Sequence, residues 1–350
     1  MNIIYFYLAL ALALVAGLFY IYLPFKSVKK PKIDGLFTEA LNAMVKGDRL
    51  IAARLLRDVV KQDSNHVRAY LQLGNILREE NPEQATKIHQ SLTVRPNLTS
   101  ELKVDIHKAL AIDYELLGKY RKSKTEAEQI LIVEKRNTWA LKFLINVAEL
   151  EKNWDTAASR TRQLQKITGK SDKNDIARFE VLKGLDNFNK GHIKEAKIFF
   201  EKAIKISPDL GQAYQYLGDT YEQTRELVKS IENWKLFALK DLNNAHKVFE
   251  KIESALFDLG RYSEVENFYR RILKFDPNNF EAILCLANVL EEKGEEGAAL
   301  TLVEESILSS GYDIRSDLMK LKLTLSTSTP LDLGQQIDKI LEKLSRSENV

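Results

Sequence analysis

The chain has 350 residues, of which 45% are hydrophobic and 29% charged, an ordinary balance for a folded helical protein. Its 52 basic and 49 acidic residues leave a net charge of +3, and no basic stripe interleaved with aromatics occurs, so global charge makes no case for nucleic acid. The single cysteine excludes both an intrachain disulfide framework and a cysteine-cluster metal site.

Ile3 to Phe25 carries no charged residue. At about 1.5 Å rise per residue it is long enough to cross a hydrocarbon core of about 30 Å. Tyr5 and Tyr7 stand near one end, Tyr20 and Tyr22 near the other, where interfacial aromatics belong. A cleaved signal peptide would want positive charge before the run and a small-x-small site after it. Met1-Asn2 supplies no charge and Tyr22-Leu23-Pro24-Phe25 is a poor cleavage site, so residues 1–25 are read as a transmembrane anchor. Lys26, Lys29, Lys30 and Lys32 mark a basic juxtamembrane linker over 26–33. By the positive-inside rule it places the repeats in the cytoplasm, and it can meet anionic headgroups weakly.

Residues 34–310 are read as about eight helix pairs. The clearest pair is Val67 to Leu98. Tyr70, Leu73, Gly74 and Leu77 share one helix face; Ala85, Ile88 and Leu92 share another. Gly74 and Ala85 are small where two helices cross closely, and Pro96 ends the unit. The small residue early in each second helix recurs at Ala52, Ala85, Ser123, Ala157, Ala196, Ser230, Val265 and Ala299. The spacings are 33, 38, 34, 39, 34, 35 and 34 residues, the tetratricopeptide period of about 34. A glycine precedes this marker by five positions at Gly47, Gly118, Gly191, Gly260 and Gly294. A bulky residue follows it by four at Leu56, Phe200, Trp234 and Tyr269, and Pro96, Pro208 and Pro277 close repeats. The two long spacings hold Pro96–Ser100 and Gly169–Asn174, polar runs read as longer inter-repeat loops.

Residues 311–350 are read as capping helices and a tail. One helix covers Asp313 to Thr324, the run Ser326 to Pro330 breaks it, and a second, amphipathic helix covers Asp332 to Ser345. Leu333, Ile337, Ile340, Leu341 and Leu344 form its stripe. A solenoid needs such an end cap. The fold expected is all-α: an N-terminal transmembrane helix, then a right-handed tetratricopeptide-repeat solenoid with a C-terminal helical cap.

No catalytic constellation appears. His66, His89, His107, His192 and His246 never stand at i, i+4, so no helical zinc pair forms, and packed or solvated histidine is the plain reading. Cys285 lies among Ile283, Leu284 and Leu286, where a buried inert thiol is the default. No cofactor and no metal are expected. What remains is a surface for protein clients. First helices of successive repeats line the concave groove, and alignment on the marker puts Asn75, Asn146 and Asn288 at one groove position. Lys142 stands four residues before Asn146, and Arg68 and Arg78 lie two repeats earlier. Asparagine can bond a peptide backbone through both amide groups, and lysine or arginine can take a carboxylate. Exposed asparagine on a solvated helix face is the alternative.

The order of pieces resembles the lipopolysaccharide assembly protein B family of Gram-negative bacteria. The likeness rests on the apolar N-terminal run, the lysines, LGNILREENPEQATKIHQSL (Leu73 to Leu92), Arg95 to Thr99, Leu141 to Leu164 and Ala213 to Trp234. It covers residues 1 to about 310, and Gly74, Asn75, Ile88, His89 and Gln90 are its most specific part. The resemblance implies a non-enzymatic adaptor of the bacterial inner membrane, single-pass, with repeats facing the cytoplasm. Its implied partners are a membrane-bound AAA+ protease and the lipid A deacetylase delivered to it, which balances lipopolysaccharide against phospholipid. The alternative is an envelope-assembly or secretion scaffold with other clients. The family ends in a rubredoxin-like domain with two CxxC pairs, a tetrahedral metal site. Here Cys285 stands alone, so that metal is not carried over, and the helix Asp332 to Ser345 is expected to brace the solenoid in its place.

Overall fold

The computed structural model describes residues 32–310, 314–325 and 328–347. The anchor expected over Ile3 to Phe25, the lysines at 26, 29 and 30 and the terminal residues 348–350 lie outside them. Among the described residues every regular element is helical, and no helix is long and apolar enough to cross a membrane. The chain forms two compact units that divide between Val147 and Ala148.

The first unit opens with α1 (Lys32–Val45) and α2 (Arg49–Gln62), followed by α3 (Val67–Leu77) and α4 (Pro82–Thr93), then α5 (Ser100–Leu116) and α6 (Tyr120–Val133). Each packs on the next. Helix α7 (Thr138–Leu150) spans the division. The second unit continues with α8 (Trp154–Thr168), α9 (Lys173–Asn189), α10 (Ile193–Ile206), α11 (Gly211–Gln223) and α12 (Leu227–Lys240). A 3-10 stretch over Leu242–Val248 leads into α13 (Phe249–Asp258). The unit ends with α14 (Ser263–Phe275), α15 (Phe280–Glu292), α16 (Glu296–Ser310), α17 (Ile314–Thr324) and α18 (Pro330–Ser347).

Packing explains the 34-residue marker. Ala52, Ala85, Ser123, Ala157, Ala196, Ser230, Val265 and Ala299 are all buried. A short amphipathic helix is marginal alone and gains its stability from such faces. The position four residues on is buried as well, as Leu56, Phe200, Trp234 and Tyr269 in four repeats. In the second repeat His89 takes that place and is completely buried. Opposite Phe200 and Trp234 the facing residue of the first helix is glycine. A Cβ added at Gly184 would run into the Phe200 ring, and one at Gly218 into the Trp234 indole.

The turn inside each pair needs a left-handed residue five positions before the marker. Gly47, Gly118, Gly191, Gly260 and Gly294 all have φ between 66° and 83°. Two repeats place Lys152 (φ 54°) and Arg225 (φ 60°) there instead. L-residues carry a penalty of roughly 1–2 kcal/mol in this region, partly offset by the chain entropy that glycine loses. Lys152→Gly and Arg225→Gly should therefore each stabilise the chain by about 0.5–1 kcal/mol. Urea unfolding checks this, and no gain at either site would mean that the turn relaxes elsewhere. The second repeat differs: no left-handed residue stands in its turn, four residues (78–81) separate its helices, and Asn81 caps α4 by accepting from the Gln84 amide with Pro82 in the first turn.

Three sequence expectations change in detail. The first long spacing lengthens its loop, to six residues over 94–99 against four over 169–172 at the second. The other added residues extend first helices, so α5 and α9 run 17 residues against 11 for α3. Ser100 and Lys173-Asn174 are helical, with Thr99 and Asp172 as caps. The first helix of the seventh repeat opens as a 3-10 stretch. There the Asn244 amide hydrogen-bonds Asp241 through both backbone and side chain, competing with helical pairing. Finally, α18 runs from Pro330 to Ser347 but buries little of its stripe. Ile340 is buried, whereas Ile337, Leu341 and Leu344 stay exposed. It is held to α17 also by Lys343 on Asp317 at 3.0 Å.

Candidate functional site

In the first unit the first helices of neighbouring repeats leave a cleft of about 450 Å³ between α1, α3 and α5. Its walls include Met44, Gln72, Asn75, Arg78, Asp105 and Lys108. Helical spacing places Gln72 and Asn75 on one face of α3, with Arg78 continuing it as the C-cap, and Asp105, Lys108 and Ile112 on one face of α5. Asn75 donates to Gln72 Oε1 at 3.3 Å and accepts from Arg78 Nη2 at 2.9 Å.

Arg78 is fixed rather than mobile. Its Nε donates to Asp113 Oδ1 at 2.5 Å and its Nη2 to the Ala109 carbonyl at 3.2 Å. Asp113 is completely buried, and its other oxygen lies 2.6 Å from His89 Nδ1. His89 Nε2 faces the Leu71 carbonyl at 3.1 Å. Both ring nitrogens therefore face an oxygen within hydrogen-bonding distance. Gln90, next in sequence, donates to the Tyr114 hydroxyl at 2.6 Å. This network sits behind the cleft and sets the position of its floor.

The cleft mixes signs. Burial, then the Glu101 charge, push the Asp105 carboxyl up from its ordinary value, against Lys108 and Arg68. Lys108 Nζ lies 5.0 Å from the Trp139 ring centre, and Trp139 stacks on Phe143. Outside the cleft, burial raises the Glu115 carboxyl, and the hydrogen bond from Asn146 Nδ2 at 2.9 Å opposes this only in part. Such a lining offers donors and acceptors at intervals, which suits an extended backbone or a polar helix face better than one isolated charge.

The residues expected from the sequence divide accordingly. Asn75 and Arg78 line the cleft. Lys142 and Asn146 are both exposed, one turn apart on α7. Arg68 is exposed and pairs loosely with Glu101 at 3.7 Å. Asn288 belongs to the second unit, where it accepts from Lys322 Nζ at 2.9 Å. Asp105, Lys108 and Asp113 escaped sequence reasoning. The available signal was Asp113 itself, a lone acid inside the apolar run Ala109–Tyr114.

No group of metal-ligating side chains occurs among the described residues. Cys285 is half-buried, and burial pushes its thiol from 9.0 up to about 11. At pH 8 its thiolate fraction is then about a hundredfold below that of an ordinary thiol. Alkylation by iodoacetamide should be slower by a similar factor in the folded chain than in urea, and equal rates would contradict this placement. The nearby Tyr269 hydroxyl donates to Glu253 Oε1 at 2.6 Å, and burial raises it far above the ordinary phenol range. These groups hold a helix pair together.

The model of the tetratricopeptide repeat family matches residues 93–307. The chain belongs to that family. As a tetratricopeptide repeat protein it is a non-enzymatic scaffold for protein interaction. It is similar to lipopolysaccharide assembly protein B of Escherichia coli K12, with 22% identity over 77% of this chain and 69% of that one. The protein of the same name from Haemophilus influenzae is 26% identical over 66% of this chain and 58% of its own. Type IV pilus assembly protein PilF of Pseudomonas aeruginosa is 25% identical over 53% of this chain and 75% of its own.

Proposed function

We propose that the protein is a membrane-anchored adaptor that modulates lipopolysaccharide assembly. The observation that carries this reading is the similarity to lipopolysaccharide assembly protein B across 77% of the chain. The uncharged run Ile3 to Phe25 would hold the protein in the inner membrane, and the lysines after it would keep the repeats in the cytoplasm. The repeats would hold a biosynthetic enzyme, the lipid A deacetylase, and bring it to a membrane-bound AAA+ protease for degradation. The client would lie along the first-helix face. Asn75 and Arg78 would meet it in the cleft, and Lys142 and Asn146 on α7. Arg68 and Asn288 are secondary contacts in this reading.

A second reading is supported by the likeness to the pilus assembly protein. The same build would then serve as an envelope-assembly scaffold with other clients. Crosslinking in intact cells, followed by mass spectrometry of partners of the full chain, separates the two. The protease or the deacetylase among the partners supports the first. Recovery of secretion or pilus components alone sinks it in favour of the second.

A further inference from the structure

We propose that the outward face of α2, with the turn before it, docks on an anionic lipid surface, so that the first repeat lies against the bilayer. Leu50, Arg54, Arg57 and Lys61 are spaced at intervals of four, three and four residues. At 3.6 residues per turn they fall within an arc of about 60°. All four are exposed, and Arg54, Arg57 and Lys61 have no ion-pair partner among the described residues. Leu50 is 83% exposed, and Val45, just before the turn, is 89% exposed. Two bare aliphatic side chains beside a row of three unpaired cations make the surface that an amphipathic helix presents to a headgroup layer.

The acids nearby do not cancel the row. Asp48 sits in the turn, and Asp58, one helical turn after Arg54 and about 40° round the helix from it, forms no ion pair with Arg54 or Lys61. Arg49 points elsewhere and pairs with Glu79. The row is particular to this repeat. The matching row of α4 contains Glu83, and that of α6 contains Glu128. A surface common to all repeats would serve solubility; one confined to the first repeat asks for a partner there.

Chain length names that partner. This inference rests on the reading of Ile3 to Phe25 as an anchor. Seven residue steps then separate Phe25 from Lys32, the start of α1, a reach of at most about 25 Å. The first repeat cannot leave the neighbourhood of the headgroups, and Lys26, Lys29 and Lys30 lie in the same short path. Cations close to an anionic leaflet attract it within about a Debye length. The geometry therefore points to phospholipid, not to a soluble protein, as the occupant of this face.

The test uses the full chain reconstituted into vesicles of phosphatidylcholine, with and without phosphatidylglycerol. In a Cys285→Ser background, a fluorophore is placed through Leu50→Cys or, as a control, Ile132→Cys on α6. Quenching by a headgroup-level nitroxide lipid is then read. The expected result is strong quenching at position 50 only, dependent on phosphatidylglycerol and abolished by high salt. Arg54→Gln, Arg57→Gln and Lys61→Gln together should lower the docked-to-free ratio on the order of a hundredfold, since each basic residue near the surface contributes about 1 kcal/mol. If the chain stays with the vesicles but position 50 remains unquenched in both lipids, docking is wrong and the anchor stands. If the chain does not stay with either vesicle, the anchor reading fails, and docking with it. Shielding at position 50 that is equal in both lipids and grows with protein concentration would assign the face to a second copy and overturn the proposal.

Discussion

Gly74→Leu is expected to unfold the second repeat locally and to lower the stability of the chain by about 3 kcal/mol or more. A Cβ at this position would lie 2.8 Å from His89 Cδ2 and Cε1, with Nε2 nearer still. Overpacking of this kind usually costs about 1–3 kcal/mol because neighbours can shift. Here the neighbour is held. His89 is completely buried and bonded at both ring nitrogens, to Asp113 and to the Leu71 carbonyl, so the ring cannot swing aside without losing both bonds. Each repeat of a solenoid is stabilised by its neighbours, so the damage should spread to α2 and α5. Thermal and urea unfolding followed by circular dichroism reads the effect. An unchanged transition would mean that α3 and α4 do not cross at Gly74.

Asp113→Ala should cost about 3–5 kcal/mol, the range for removing one partner of a buried charged group. The carboxylate accepts from Arg78 on one oxygen and meets His89 on the other. Alanine would leave the Arg78 Nε–H and the His89 ring nitrogen facing a void. The triple change Arg78→Met, His89→Phe and Asp113→Leu should recover most of the loss, because an apolar core of similar volume can replace a buried polar network when every charged member is replaced. Phe200 already occupies the equivalent of the His89 position in the fifth repeat. A single Asp113→Ala variant as stable as the parent would show that the network contributes nothing. A triple variant no better than Asp113→Ala would show that the network also fixes how the second and third repeats meet.

The repeat was legible because its demands are local and recur. A small residue is needed where helices cross, a left-handed residue where they turn, and a bulky side chain one helical turn on. Each demand leaves its own residue type every 34 positions or so. The buried triad was not legible, because a histidine in a bulky position reads as a packed residue, and its partner lies 24 positions away on another helix. The cleft was half legible. Asn75 and Arg78 could be placed by register, but Asp105 and Lys108 come from α5, whose added N-terminal turn shifts them relative to the spacing of the other repeats. The end of the chain misled in a different way. A stripe in the sequence shows which residues could be covered, and on α18 Ile340 is buried and Leu333 half-buried, whereas Ile337, Leu341 and Leu344 stay exposed.

The proposed function stands or falls on client protein lying along the first-helix face of the first unit. Site-specific photocrosslinking in the full chain, expressed in a Gram-negative cell, decides this. A photoreactive residue replaces Lys142, which is exposed and has no part in the buried network, or Ile132 on the second helix of the third repeat, 69% exposed, as the control. A discrete protein adduct is expected at position 142 and none at 132. The adduct should weaken about three- to tenfold when Asn146→Ala removes one exposed hydrogen-bonding group, worth about 0.5–1.5 kcal/mol. Adducts at 132 with none at 142 would place the client on the opposite face and refute the first-helix groove as its binding surface.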